Sequence, residues 1–195
     1  MEADPEDLSA AAEVFGGVIG AIQDEQWQLP TPCSDWTVGD LVKHVVAGND
    51  GFTTALGGRG AEPSGERSVG VSVDLADDYG RSVRALLDAF RQPGALQTMV
   101  TVPFGTVPGA VALHLRTTEL LVHGWDLARA TGQDVTFPDD LAEQELAFTR
   151  AALAQVPSER KPFAPPEPVA DDASAIDRLA ACLGRAAADP PGEHG

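Results

Sequence analysis

Apolar residues recur along this chain at spacings of three and four, and the pattern is densest over residues 113–133, LHLRTTELLVHGWDLARATGQ. At about 100° per residue, Leu113, Leu115, Leu120, Leu121, Val122, Trp125 and Leu127 cover most of a helix's circumference, which predicts a largely buried helix. One polar strip interrupts the apolar surface. Glu119 and His123, four apart, lie within about 40° of each other, and Arg116, Asp126 and the small Ala112 and Ala130 share their side. Such a strip faces either water or an internal polar site. His114 falls about 180° from His123, so the two cannot share a ligand on a regular helix.

The same spacing predicts the remaining elements. Asp4, Pro5, Glu6 and Asp7 read as an N-cap, a proline at the first helical position and acids in the first turn. Leu8, Ala12, Phe15, Ile19 and Ile22 then form one stripe of a first helix that ends before Trp27. A proline-punctuated loop leads into a second helix, with Thr37 and Asp40 as a capping pair and Val38, Leu41, Val45, Phe52 and Leu56 as its buried stripe. Trp36 reads as a packing anchor at the start of that helix, and Asn49 and Lys43 as surface residues of it. Gly57 to Val71 reads as a loop. A third helix starts at about Ser72, carries Leu75, Tyr79, Val83, Leu86 and Phe90, and stops at Pro93-Gly94. Residues 98–107 have β-prone arms around Phe104-Gly105, which predicts a small hairpin. The fourth helix starts near Pro108 and Gly132 stops it. A fifth runs from Pro138 to about Gln155. Residues 157–170, with five prolines, read as an extended connection. Asp171 and Asp172 are placed to cap a final short helix carrying Ile176, Leu179 and Leu183, and the tail 189–195 reads as disordered, with His194 assigned no role.

Composition narrows the partners. Thirteen basic against thirty acidic residues give a formal charge of -17, which repels nucleic-acid phosphates and anionic membrane surfaces alike. No apolar run approaches the roughly 18 residues that span a bilayer, and MEADPEDL lacks the features of a signal peptide, so a cytoplasmic location is expected. Cys33 and Cys182 form no CxxC pair, and Cys33 reads as an inert loop thiol. A length of 195 residues predicts one domain over 1–188, with a core bundle at about 5–133 and a C-terminal helical extension at about 138–188.

Two readings of the polar strip stand at this point. As a solvated face, Arg116 with Glu119 and Glu119 with His123 are ordinary surface pairs. As an internal site, Glu119 and His123 are two ligands of a metal that needs a third from another helix. His44 sits on the shoulder of the second helix's stripe, a position that suits either a side chain aimed into a cleft or an imidazole at a core edge.

His44 and Glu119-x3-His123 occur here together with TPCSDWTVGDLVKHV (31–45), VPFGTVPG (102–109), ELLVHGWDLARATGQ (119–133), and DASAIDRL (172–179) followed by Gly184-Arg185. On these segments the chain resembles the DinB-like metal-binding superfamily. Within it, the chain is similar to the actinobacterial branch that includes the mycothiol-dependent maleylpyruvate isomerase N-terminal domain. The resemblance implies an all-α fold: a DinB-like four-helix bundle, a short β-hairpin between helices 3 and 4, and two additional C-terminal helices in place of a separate second domain. It implies a divalent metal held by His44, Glu119 and His123. On the same strip Asp126, one turn beyond His123, reads either as an acceptor orienting an imidazole or as a solvated acid, and Arg116 either as a contact to an anionic substrate group or as a partner of Glu119. Two imidazoles and a carboxylate suit Zn²⁺ and also accept Ni²⁺, Fe²⁺ or Mn²⁺. The fourth position is left for a water or thiol, whose pKa the ion lowers. The implied activity is a thiol-dependent S-transferase or isomerase, with mycothiol as cosubstrate, an electrophilic small molecule as substrate and a homodimer as assembly. The alternative is a non-catalytic metal- or small-ligand-binding module of the same fold.

Overall fold

A computed structural model describes residues 3–33, 36–57, 71–102, 105–156, 164–170 and 172–186, with backbone alone over 71–74. The expected loop lies outside the described residues from 58 to 70, as do Asp171, His194 and the tail 189–195. The chain divides into two compact units, Met1–Thr136 and Phe137–Gly195.

The first unit holds four helices: α1 (Pro5–Gly20), α2 (Val38–Ala55), α3 (Val71–Phe90) and α4 (Gly109–Thr131). Each packs against two others. α1 lies on α4 and α3, and α2 on α3 and α4, which closes a four-helix ring around Leu8, Phe15, Leu41, Leu86, Leu113 and Leu120, all fully buried. Burying each such side chain contributes about 1.5–3 kcal/mol. Between α3 and α4 the expected hairpin forms from β1 (Met99–Val102) and β2 (Gly105–Pro108), antiparallel, with Val100 opposite Val107 and Thr101 opposite Thr106. Val100 and Val102 point inward while Met99 and Thr101 are exposed, and both strands pack on α4.

The caps follow the sequence closely. Asp4 accepts from the Glu6 amide with Pro5 at the first helical position, and Thr37 accepts from the Asp40 amide at 3.2 Å. Gly132, at φ 69°, ends α4. Four details differ from the periodic reading. Ile22 lies beyond the end of α1, in the stretch that leads into a 3-10 turn, Asp24–Gln28, which buries Trp27. On α3 the buried position is Ser82 rather than Val83, because 75, 79, 82, 86 and 90 keep to the 3.6-residue period. Leu56 caps α2 half-buried instead of extending its core.

The fourth detail belongs to the second unit, which holds α5 (Asp139–Ala154) and α6 (Ala175–Cys182) packed on each other. Residues 164–170, without regular structure, lead toward α6, and the rest of the expected connection, 157–163, lies outside the described residues. The cap of α6 is Ser174, whose hydroxyl accepts from the Asp177 amide and donates to the Asp177 carboxylate at 2.7 Å. This Ser-x-x-Asp pair stands immediately before the apolar run, so Asp172 is two residues too early. Arg178 pairs with Glu143 across the two helices. Among the described residues, no helix is long and apolar enough to cross a membrane.

Candidate metal centre

The site is built where the loop before α2 meets α2 and α4. Thr31 organises that loop: its amide and hydroxyl both donate to the Trp36 carbonyl, at 3.2 and 3.0 Å, and its hydroxyl accepts from the Cys33 amide. Leu29 accepts from the Val38 amide, and Pro30 and Thr37 form a one-residue antiparallel bridge. The loop is thereby closed into a tight arch that delivers Trp36 onto the first two turns of α2. Its indole lies over the His44 ring, centroids 4.3 Å apart.

His44, two turns into α2 and half-buried, meets His123 of α4 edge to face, with centroids 5.3 Å apart and planes at 85°. Two imidazoles bound to one tetrahedral ion, with metal–nitrogen bonds of about 2.0–2.1 Å, place their centroids about 5 Å apart. Trp36 reaches both rings and lies 6.1 Å from that of His123. Trp36 packs at the entry to α2, as expected, and there its ring walls the imidazole pair. The available signal was its place immediately before the Thr37 cap, from which an aromatic ring covers the opening turns of a helix.

The polar strip of α4 faces inward. Arg116 and Asp126 are 0% exposed and His123 is 6% exposed, which removes the solvated reading of that face. Asp126 Oδ2 lies 3.0 Å from His123 Nδ1. A carboxylate only accepts, so Nδ1 is the donor, and in the neutral ring Nε2 is the nitrogen left with its lone pair. His44 is held below the usual imidazole range, first by burial and then by His123, with Arg116 in the same direction and Glu119 opposing. The His44 ring is thereby held toward its neutral form, the form that ligates metals.

Glu119 is half-buried and its carboxylate is engaged by Arg116 Nη1. Among the described residues, no three His, Cys, Asp or Glu side chains stand together as a ready metal-binding group. Glu119 stands instead in its ion pair with Arg116. In donor type and in the spacing of their rings, His44 and His123 fit a divalent ion, and Glu119 lies one turn before His123 on α4.

Arg116 makes further contacts that the sequence concealed. Its Nη2 donates to Asn49 Oδ1 at 2.6 Å and to the Val45 carbonyl at 3.3 Å. Asn49 is 0% exposed, not on the surface, and donates from Nδ2 to Ser82 Oγ at 3.0 Å. Gly48 leaves the room for this: a Cβ there would stand 2.5 Å from Arg116 Nη1. Lys43 is exposed, as expected, beside Asp40. His114 is buried on α4, apart from the imidazole pair. Cys33 and Cys182 are both half-buried.

A helical bundle that draws histidines from two of its helices to one polar site has the DinB-like architecture. The chain belongs to the family of the mycothiol maleylpyruvate isomerase N-terminal domain, whose family model matches residues 8–128. It is 36% identical over 176 residues, 90% of this chain and 93% of theirs, to the uncharacterized proteins MT0763 and Rv0738 of two Mycobacterium tuberculosis strains. Two crystal structures of the mycothiol-dependent maleylpyruvate isomerase share the fold. A histidine-to-alanine mutant superposes with a TM-score of 0.57 and a second structure of that enzyme with 0.53, each at 19% identity, covering 73% of this chain and 67% of theirs.

Proposed function

We propose that this protein is a divalent-cation-dependent enzyme of thiol chemistry, an S-transferase or isomerase that uses a low-molecular-weight thiol of the mycothiol type on an electrophilic small molecule. The observation that carries this reading is the meeting of His44 and His123 from separate helices at 5.3 Å. Family membership supports the thiol. His44, Glu119 and His123 would hold the ion, zinc being the first choice for this donor set. A divalent ion there supplies Lewis acidity, which lowers the pKa of a thiol brought to it.

The chain's own residues do the rest. Asp126 fixes the tautomer of His123 and so the nitrogen it offers. Trp36 covers one side of the imidazole pair and presents an aromatic wall to a guest. The same reading has the protein acting as a homodimer. Protein purified without added metal or a histidine tag should carry about one divalent ion per chain, and His44→Ala should remove it while leaving the fold intact. Wild-type protein that takes up no ion would end the proposal. The metal-loaded protein should then turn over mycothiol with members of a panel of electrophiles.

One observation favours the second reading, a binding module without turnover: the engagement of Glu119 by Arg116. Tight binding of thiol or electrophile with no product across the panel would select it.

A further inference from the structure

Donor and acceptor accounting around Arg116 leads further. Ser82 has a single hydroxyl proton, and its oxygen lies 3.0 Å from the Tyr79 carbonyl, to which it donates. Ser82 can therefore only accept from Asn49, which fixes the Asn49 amide with its NH₂ toward Ser82 and its oxygen toward Arg116. The Nη2 protons of Arg116 are taken up by Asn49 and Val45, and Nε has no hydrogen-bond partner among the described residues. Nη1 is left to Glu119. The guanidinium is fully buried, fitted against Gly48 and over the Phe52 ring at 5.3 Å. It has little freedom to move away.

We propose that Arg116, oriented by the Ser82–Asn49 chain, is a positioning residue that competes with the cation for Glu119 and thereby restrains the affinity of the site. The inference rests on the metal reading given above. Its physical basis is twofold. A carboxylate oxygen that accepts from a guanidinium is a poorer metal ligand, and a buried positive charge beside the site repels a divalent ion through a medium that screens poorly. Restraint of this kind keeps the ion's open position attractive to anionic guests such as a thiolate, because the Glu119 charge is already partly compensated.

The test is the affinity of the full-length, metal-free protein for Zn²⁺ alone, by calorimetry, with the intensity of Co²⁺ absorption bands as a second report on the number of donors. Arg116→Gln removes the competitor and should tighten binding by about tenfold or more. Asn49→Asp supplies Arg116 with another carboxylate, frees Glu119 and should also tighten binding. Asn49→Leu, which leaves Arg116 more dependent on Glu119, should weaken it. Thermal unfolding of each apo variant checks folding, and the two substitutions at Asn49 keep the test alive if Arg116→Gln does not fold. A purely structural role would weaken binding in every variant, and that result, or unchanged affinity in Arg116→Gln and Asn49→Asp, overturns the inference. The metal reading itself fails elsewhere, in wild-type protein that binds no Zn²⁺ or in His44→Ala that still binds it; the first of these outcomes takes the inference down with it.

Discussion

At the scale of single residues, the candidate site depends on a His44 ring held toward its neutral form. His44 is pushed below the ordinary imidazole value by burial and by His123, so the sign of its pH effect is set. Its folded-state pKa lies below its unfolded value of about 6.5, so its contribution to stability is present above that value and is lost as pH falls through the folded pKa. NMR titration of the metal-free protein should find the His44 ring titrating lower than free imidazole. His123→Gln, which removes one cause of the depression, should move it back up, with burial keeping the remainder of the shift. A His44 ring that titrates at the ordinary value would place it in water rather than against Trp36. Glu119 and His123 could be picked out in the sequence because they share a helical face by arithmetic alone. Asn49 and Ser82 could not. A polar residue on a predicted helix is assigned to the surface by default, and only the facing helices reveal that Arg116 of α4 comes to meet it.

At the scale of elements, helix starts were legible because caps are local chemistry. Asp4-Pro5 and Thr37-x2-Asp40 identify themselves within four residues. The cap of α6 is Ser174 rather than Asp172, because a second capping sequence, Ser174-x2-Asp177, follows so closely. The Thr37 cap matters for the site as well as for α2, since it sits between Trp36 and the turns that carry His44. Thr37→Ala should lower stability by about 1 kcal/mol, read as a fall in the denaturation midpoint. It should also raise the Asp40 carboxyl, which the Thr37 hydroxyl now holds below its usual range. If the arch around Thr31 holds Trp36 independently of this cap, the indole fluorescence of the folded variant stays that of the wild type; a red shift would show that the cap and the wall of the site are one device. Thr37→Ser, which retains the hydroxyl, should restore most of the stability.

At the scale of the whole molecule, the partnership of helices is what periodicity cannot supply. Each stripe says which face is buried and is silent on what buries it. The ring in which α1 lies against α3 and α4 follows from side chains that match only in three dimensions. Tyr79 is one such match, and the only tyrosine in the chain. It leaves α3, packs on the Phe15 ring at 4.9 Å and donates its hydroxyl to the Ala12 carbonyl at 2.8 Å. Burial pushes its phenol above the usual range, with Arg116 opposing. The folded-state pKa is therefore raised over an unfolded value of about 10, and the associated stability is whole below that value and lost as pH climbs past it. Tyrosinate absorbance in an alkaline titration should consequently appear together with loss of helical circular dichroism, not before it. Tyr79→Phe should cost about 0.5–1.5 kcal/mol at neutral pH for the missing hydrogen bond and should flatten the decline of stability above pH of about 10. Lysine deprotonation acts on both proteins alike, so the difference between the two curves belongs to this one phenol. Equal slopes would mean that α1 and α3 part enough to let water reach it.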